Sequence, residues 1–114
     1  MTKHKLSQYY YLCREIAQAE RELANLKRAA VPLDIADVIA EQESSIRLTK
    51  QAAEREKLKI LAYISNIDDS LTRMIIKYRY IDCLSWQATA YRVGGSNTAD
   101  SVKKIAYRHI KKDG

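Results

Sequence analysis

Residues 85–112 read SWQATAYRVGGSNTADSVKKIAYRHIKK, and this stretch decides the fold. Ser85 is a strong N-cap for a helix from Trp86 to Val93, which Gly94 and Gly95 end. A further helix is expected to start near Asn97, where Asn97-Thr98-Ala99-Asp100 resembles a capping box with Asp in place of the usual Glu, and to run to about Lys112. Two short helices that cross closely need a small residue in the first, a glycine in the left-handed conformation in the turn, and a branched apolar anchor in the second. Ala90, Gly94 and Val102 meet those three demands, and Ile105, Ala106 and Ile110 are expected to turn inward beside Val102. The pattern predicts a helix-turn-helix.

The outward face of the last helix then carries Ser101, Lys104 and Arg108 along one row and Lys103, Tyr107 and Lys111 along the next. Between Arg92 and Lys112 six basic side chains (Arg92, Lys103, Lys104, Arg108, Lys111, Lys112) stand against the single acid Asp100. The whole chain has a formal net charge of +6, and its basic excess is concentrated in the C-terminal half. Such a segment suits a polyanion. A solvated lysine-rich helix end, favoured by the helix dipole, accounts for the charge alone; its place in the helix-turn-helix pattern favours double-stranded DNA. The N-terminal part of a recognition helix enters the major groove, so Thr98, Ser101, Lys104 and Arg108 are assigned to bases. Arg92, Lys103, Lys111 and Lys112 are assigned to phosphates. Tyr107 is expected either to donate to a phosphate or to pack on a neighbour.

Working back towards the N-terminus, residues 68–114 read as a three-helix module. Its first helix has Asp68 or Asp69 as N-cap and Leu71, Met74, Ile75, Tyr78 and Ile81 on one face. Residues 1–67 read as a helical hairpin, a coiled-coil-like stalk or oligomerisation arm. One helix has a seam at Tyr9, Leu12, Ile16, Ala19, Leu23, Leu26 and Ala30, in steps of three and four. Pro32 places its end at Val31. The second starts near Asp34, with a seam at Ile35, Ile39, Gln42, Ile46, Thr49, Ala53, Glu56, Ile60, Ile64 and Ile67. Helices joined by so short a loop lie antiparallel. The polar seam positions leave two outcomes open, a homodimer through the hairpin and a hairpin with no oligomeric role. The fold class is all-α.

Composition narrows the function. The chain has 114 residues, 46% hydrophobic and 30% charged, with three Gly and one Pro, which suits one small helical domain with an appendage and excludes two large ones. Cys13 and Cys83 lie far apart without a Cys-x-x-Cys or a histidine pair, so reduced thiols are expected, and neither a disulfide framework nor a zinc site. No run of about 18 apolar residues and no signal-peptide pattern is present, so a cytoplasmic, non-membrane protein is expected. His4 and His109 form no metal or catalytic pair, Asp68 and Asp69 read as caps, and no nucleotide-binding loop is seen. Neither an enzyme nor a cofactor is expected. Trp86 reads as a packing anchor against the helix before it, and of Tyr9, Tyr10 and Tyr11 at least one must be exposed.

The run Tyr78-Arg79-Tyr80-Ile81-Asp82-Cys83-Leu84-Ser85-Trp86-Gln87, followed by Ala90 and Gly94, resembles region 4 of bacterial sigma factors. It is more similar still to small phage and mobile-element regulators of the ArpU/RinA late-transcription type, in which a charged helical hairpin precedes a sigma-like helix-turn-helix. That order covers nearly the whole chain. The resemblance implies a sequence-specific promoter-region DNA binder of a phage or prophage in a bacterial host cell, activating late or packaging genes. The departure is the stretch Gly94 to Ser101, about two residues longer than the usual turn, which affects the register of the recognition helix. Two alternatives remain beside it. A small terminase subunit recognises phage DNA for packaging, but commonly carries the module before its oligomerisation segment. A helical adaptor would contact RNA polymerase, as sigma region 4 does, without binding duplex.

Overall fold

The computed structural model describes residues 1–29 and 35–113, and all its regular elements are helical. Helix α1 spans Lys3–Arg28, α2 Ile35–Ser65, α3 Ser70–Ile76, α4 Trp86–Val93 and α5 Ala99–Asp113, with one π-helical turn over Lys77–Ile81. The hairpin and small helical module expected from the sequence are both present. The expected end of α1 at Val31, the break at Pro32 and the start near Asp34 lie outside the described residues. Among these residues, no helix is long and apolar enough to cross a membrane.

The chain divides into two compact units: Tyr11–Arg55, and a second made of Met1–Tyr10 with Glu56–Gly114. In the first, Leu23, Ile46 and Ala53 are buried, whereas Leu12, Ile16, Ala19, Leu26, Ile39, Gln42 and Thr49 are half-buried. The three buried positions all belong to the two seams, while Cys13, Ala24 and Ala52 beside them are half-buried as well. Ion pairs fix the direction: Lys50 meets Glu20 at 2.8 Å and Lys27 meets Glu43 at 3.0 Å. A heptad forward on one helix is a heptad backward on the other, as an antiparallel pair requires. Exposed pairs of this kind are worth about 0–1 kcal/mol each, so they set register more than stability.

The second unit has the deeper core. Leu6, Ile60, Ile75, Ile76, Val102 and Ala106 are fully buried, and Ile64, Ile67, Tyr80, Ala90 and Ile110 nearly so. Thr2 caps α1, its hydroxyl accepting the Lys5 N–H at 3.2 Å, and Met1, Leu6 and Tyr9 pack into this core. The first turns of α1 therefore belong with residues 56–113, so the core reaches well outside the 68–114 segment. Tyr11 is exposed, as at least one of the three consecutive tyrosines had to be.

The caps follow local chemistry. Asp69 caps α3, its carboxylate accepting from the Thr72 N–H at 3.0 Å and the Thr72 hydroxyl at 2.7 Å. Those two bonds hold the Asp69 carboxyl below its ordinary value. The cap's contribution is therefore fully present at neutral pH and is lost as pH falls through the lowered value. The Arg73 guanidinium donates to the Ile67 and Asp68 carbonyls, at 2.6 and 2.9 Å, and fastens α3 to the residues that follow α2.

The expected apolar face of the next helix needs correction. Thr72, Ile75, Ile76 and Tyr80 are buried, while Met74 is exposed and Tyr78 only half-buried. The inward stripe Thr72, Ile76 and Tyr80 runs in steps of four, one position later than expected from the first turn on, with Leu71 and Ile81 at its edge; a π turn follows, where the Asp82 N–H reaches the Lys77 carbonyl at 3.1 Å. That turn carries one residue more than an α-helical turn. The turn closes with Cys83 at φ 57° and the Leu84 N–H on the Tyr78 carbonyl at 3.1 Å, a left-handed cap widened by the same residue.

Helix α4 forms as expected, with the Ser85 hydroxyl accepting the Ala88 N–H at 3.1 Å. Gly94 has φ 81° and ψ −164°. This is not the left-handed helical conformation expected, but a positive-φ extended one that is essentially restricted to glycine. Ala90 is buried among Val102, Ala106 and Ile110 of α5. Ala90→Leu is expected to destabilise this unit by about 1–3 kcal/mol through overpacking, read as a lower denaturation midpoint. A midpoint equal to the parent's would mean that the gap at Ala90 tolerates a larger side chain.

One buried hydroxyl is unsatisfied. Thr89 Oγ1 is fully buried and has no hydrogen-bond partner among the described residues. Thr and Val have similar shape and helix propensity, and an unpaired buried polar group costs about 1–3 kcal/mol. Thr89→Val should accordingly raise the unfolding free energy, by about 1 kcal/mol in a denaturant titration. A loss of stability would mean that the hydroxyl has a partner in solution.

Candidate nucleic-acid interface

Helix α5 separates its two faces cleanly. Val102, Ala106 and Ile110 are buried, with Ile105 half-buried beside them, which leaves Lys103, Lys104, Arg108, Lys111 and Lys112 exposed on the remaining surface. Arg92 at the end of α4 is exposed too. The structure thus gathers five of the six basic residues expected to face a polyanion on one helix held from behind by an apolar core, with Arg92 on the helix before it.

The start of α5 differs from expectation by one residue. Thr98, not Asn97, caps the helix: the Thr98 hydroxyl accepts the Ser101 N–H at 3.1 Å, and the Ser101 hydroxyl accepts the Thr98 N–H at 2.8 Å. This is a reciprocal capping box with Ser101 in the role expected of Asp100. The Asn97 amide instead donates to the Gly94 carbonyl at 3.0 Å and closes the turn. Asp100 is free of the cap and pairs with Lys104 at 3.0 Å on the exposed face. The Ser101 hydroxyl also donates to the Thr98 carbonyl at 3.0 Å. Both hydroxyls assigned to bases are therefore engaged in the backbone of their own helix.

Tyr107 packs as well as pointing outward. Its ring meets the edge of Trp86 at 5.6 Å, and Trp86 meets Tyr80 edge-on at 6.3 Å. Trp86 is thereby the packing anchor expected, with the Arg79 guanidinium 4.5 Å from its ring centre and donating to the Leu84 carbonyl at 3.0 Å. Burial, and then the neighbouring Tyr107 phenol, push Tyr80 up to about 12. The stabilisation linked to a neutral Tyr80 is complete below its ordinary value of 10 and lost as pH rises through about 12. Tyr80 therefore stays neutral across the neutral range. His109 lies at the core edge, its ring 6.1 Å from that of Tyr63.

Sequence reasoning missed one group. The Lys3 ammonium, from the first turn of α1, stands 4.1 Å from the centre of the Tyr107 ring, and that of Lys103 stands 5.7 Å from it. No pattern within a helix links residues a hundred positions apart. Comparison of the chain with protein-family models, with curated proteins and with solved structures gives no match.

Proposed function

We propose that this chain is a sequence-specific double-stranded DNA-binding protein, with α5 as the helix that enters the major groove, and that it regulates transcription in a phage or prophage. One observation carries the DNA reading: the exposed face of α5 holds Lys103, Lys104, Arg108, Lys111 and Lys112 while its opposite face is locked into the core. On a helix already held rigid, these cations neutralise phosphates and reach base edges with only their side chains, and no backbone, left to be ordered at each encounter. The transcriptional role rests on the resemblance carried by Tyr78 to Gln87. Selecting bound duplexes from a random pool tests the reading: an enriched motif supports it, and recovery of unselected sequence with no salt-sensitive binding sinks it. Self-association through Tyr11–Arg55 belongs to the same proposal, since a two-helix pair that fully covers so few of its apolar side chains gains from a second copy. A two-fold repeat in the selected motif, together with a dimer mass in sedimentation, supports it. A ring of many subunits points instead to a small terminase subunit.

Tyr91, 87% exposed on α4, favours a second reading, an adaptor whose partner is a protein such as RNA polymerase. That reading predicts polymerase binding without duplex binding.

A further inference from the structure

Lys3 and Lys103 reach the same ring from opposite ends of the chain. Leu6, fully buried, and the half-buried Met1 and Tyr9 fix the first turns of α1 against the unit that contains α5, so the position of Lys3 is set by packing rather than by chance contact. Its ammonium and that of Lys103 lie 4.1 and 5.7 Å from the Tyr107 ring centre. The two charges are thus held within about 10 Å of each other, the order of a Debye length at 0.1 M salt, and their repulsion is only partly screened. Among the described residues neither is in an ion pair, whereas Lys27, Lys50, Lys59, Lys77 and Lys104 each have a carboxylate. The Tyr107 ring offsets part of that repulsion through its negative face. What remains is a double positive charge, without a carboxylate partner among the described residues, at the edge of the basic face of α5.

We propose that Lys3 is a phosphate-binding residue and that, with Lys103, it extends the DNA contact of α5 to the flanking sugar-phosphate backbone. This rests on the reading of α5 as a DNA-binding helix. A lysine at a fixed point beside a recognition helix adds affinity without sequence information, because phosphates repeat identically along a strand. The same contact releases one more counterion, which makes it measurable apart from any change in fold.

The test is the salt dependence of duplex binding by the full chain, using a duplex recovered by selection or, failing that, a mixed-sequence duplex. Each neutralised phosphate contributes about 0.9 to the slope of log K against log salt. Lys3→Met keeps the aliphatic stem on Tyr107 and removes the charge. The slope should become shallower by about 0.9 and affinity should fall severalfold at low salt, while Lys3→Arg keeps the parent slope and thermal melts of both match the parent. Lys59→Met, which removes the same charge from a lysine already paired with Glu56, should leave the slope unchanged. An unchanged slope in Lys3→Met while the parent binds duplex overturns the inference and leaves the α5 reading intact. An equal change in Lys59→Met also overturns it, as an effect of net charge. A parent chain that binds no duplex removes both.

Discussion

Leu6→Ala is expected to lower the unfolding free energy of the unit that contains α3, α4 and α5 by about 2–5 kcal/mol, although Leu6 lies more than sixty residues away from α3 in sequence. Leu6 is fully buried and belongs to one cluster with Ile60, Ile64, Ile75, Ile76, Val102 and Ala106. Truncating a buried leucine removes its transfer free energy and leaves a cavity that the neighbours fill only in part. Small domains have about 5–15 kcal/mol in total, so a loss of this size approaches unfolding at 37 °C. Trp86 is the sole tryptophan and sits against this core, so its fluorescence during denaturation reports on this unit. Tyr11→Ala is the control: Tyr11 is 62% exposed, and surface changes usually stay within about 0.5 kcal/mol. A Trp86 transition unmoved by Leu6→Ala would mean that the start of α1 does not pack here in solution. By the same argument a fragment beginning at Asn66 lacks Leu6, Ile60 and Ile64 and should melt without cooperativity, so any loss of DNA binding by it reflects folding before avidity.

The parts of this fold that could be read from sequence are those governed by short-range chemistry. Ser85 and Asp69 cap helices because a side-chain oxygen beside the first turn satisfies an N–H that has no partner in the helix. The seams of α1 and α2 are visible because a half-buried helix repeats every three or four residues. Where two local solutions competed, the reading slipped. Asn97 and Thr98 are both good caps, and Asp100 and Ser101 are both able to answer them; the turn settled the choice by taking the Asn97 amide for the Gly94 carbonyl. The π turn after α3 has no composition signal of its own, and the phase of α3, which leaves Met74 exposed and buries Ile76, is set by the core it packs on rather than by local apolar spacing. The placement of Lys3 and Leu6 depends on long-range packing, about which periodicity is silent. For the candidate interface, the basic face of α5 was legible, but the engagement of Thr98 and Ser101 in capping was not.

Replacing Lys104 and Arg108 together by alanine is expected to weaken specific duplex binding by about 2–6 kcal/mol, if each contributes the 1–3 kcal/mol typical of a base contact and the two act independently. The shares should be unequal. Lys104 is held by Asp100 at 3.0 Å, both side chains well exposed, so its ammonium must exchange a carboxylate for the groove, and a pair of that kind offsets about 0–1 kcal/mol of the gain. Arg108 is exposed one turn further along the helix, and its planar guanidinium can take guanine O6 and N7 together, which a lysine cannot do in the same fixed geometry. Arg108→Ala should therefore cost more than Lys104→Ala and should relax sequence preference at one position of the selected motif. Neither change touches the buried face made by Val102, Ala106 and Ile110, so the Trp86 transition should stay within about 0.5 kcal/mol of the parent. Asp100→Asn separates the two effects, because it frees Lys104 and removes a negative charge from the interface, and it should tighten binding. A double variant that binds with parent affinity and selects the parent motif would take α5 out of the groove, whatever else the protein binds.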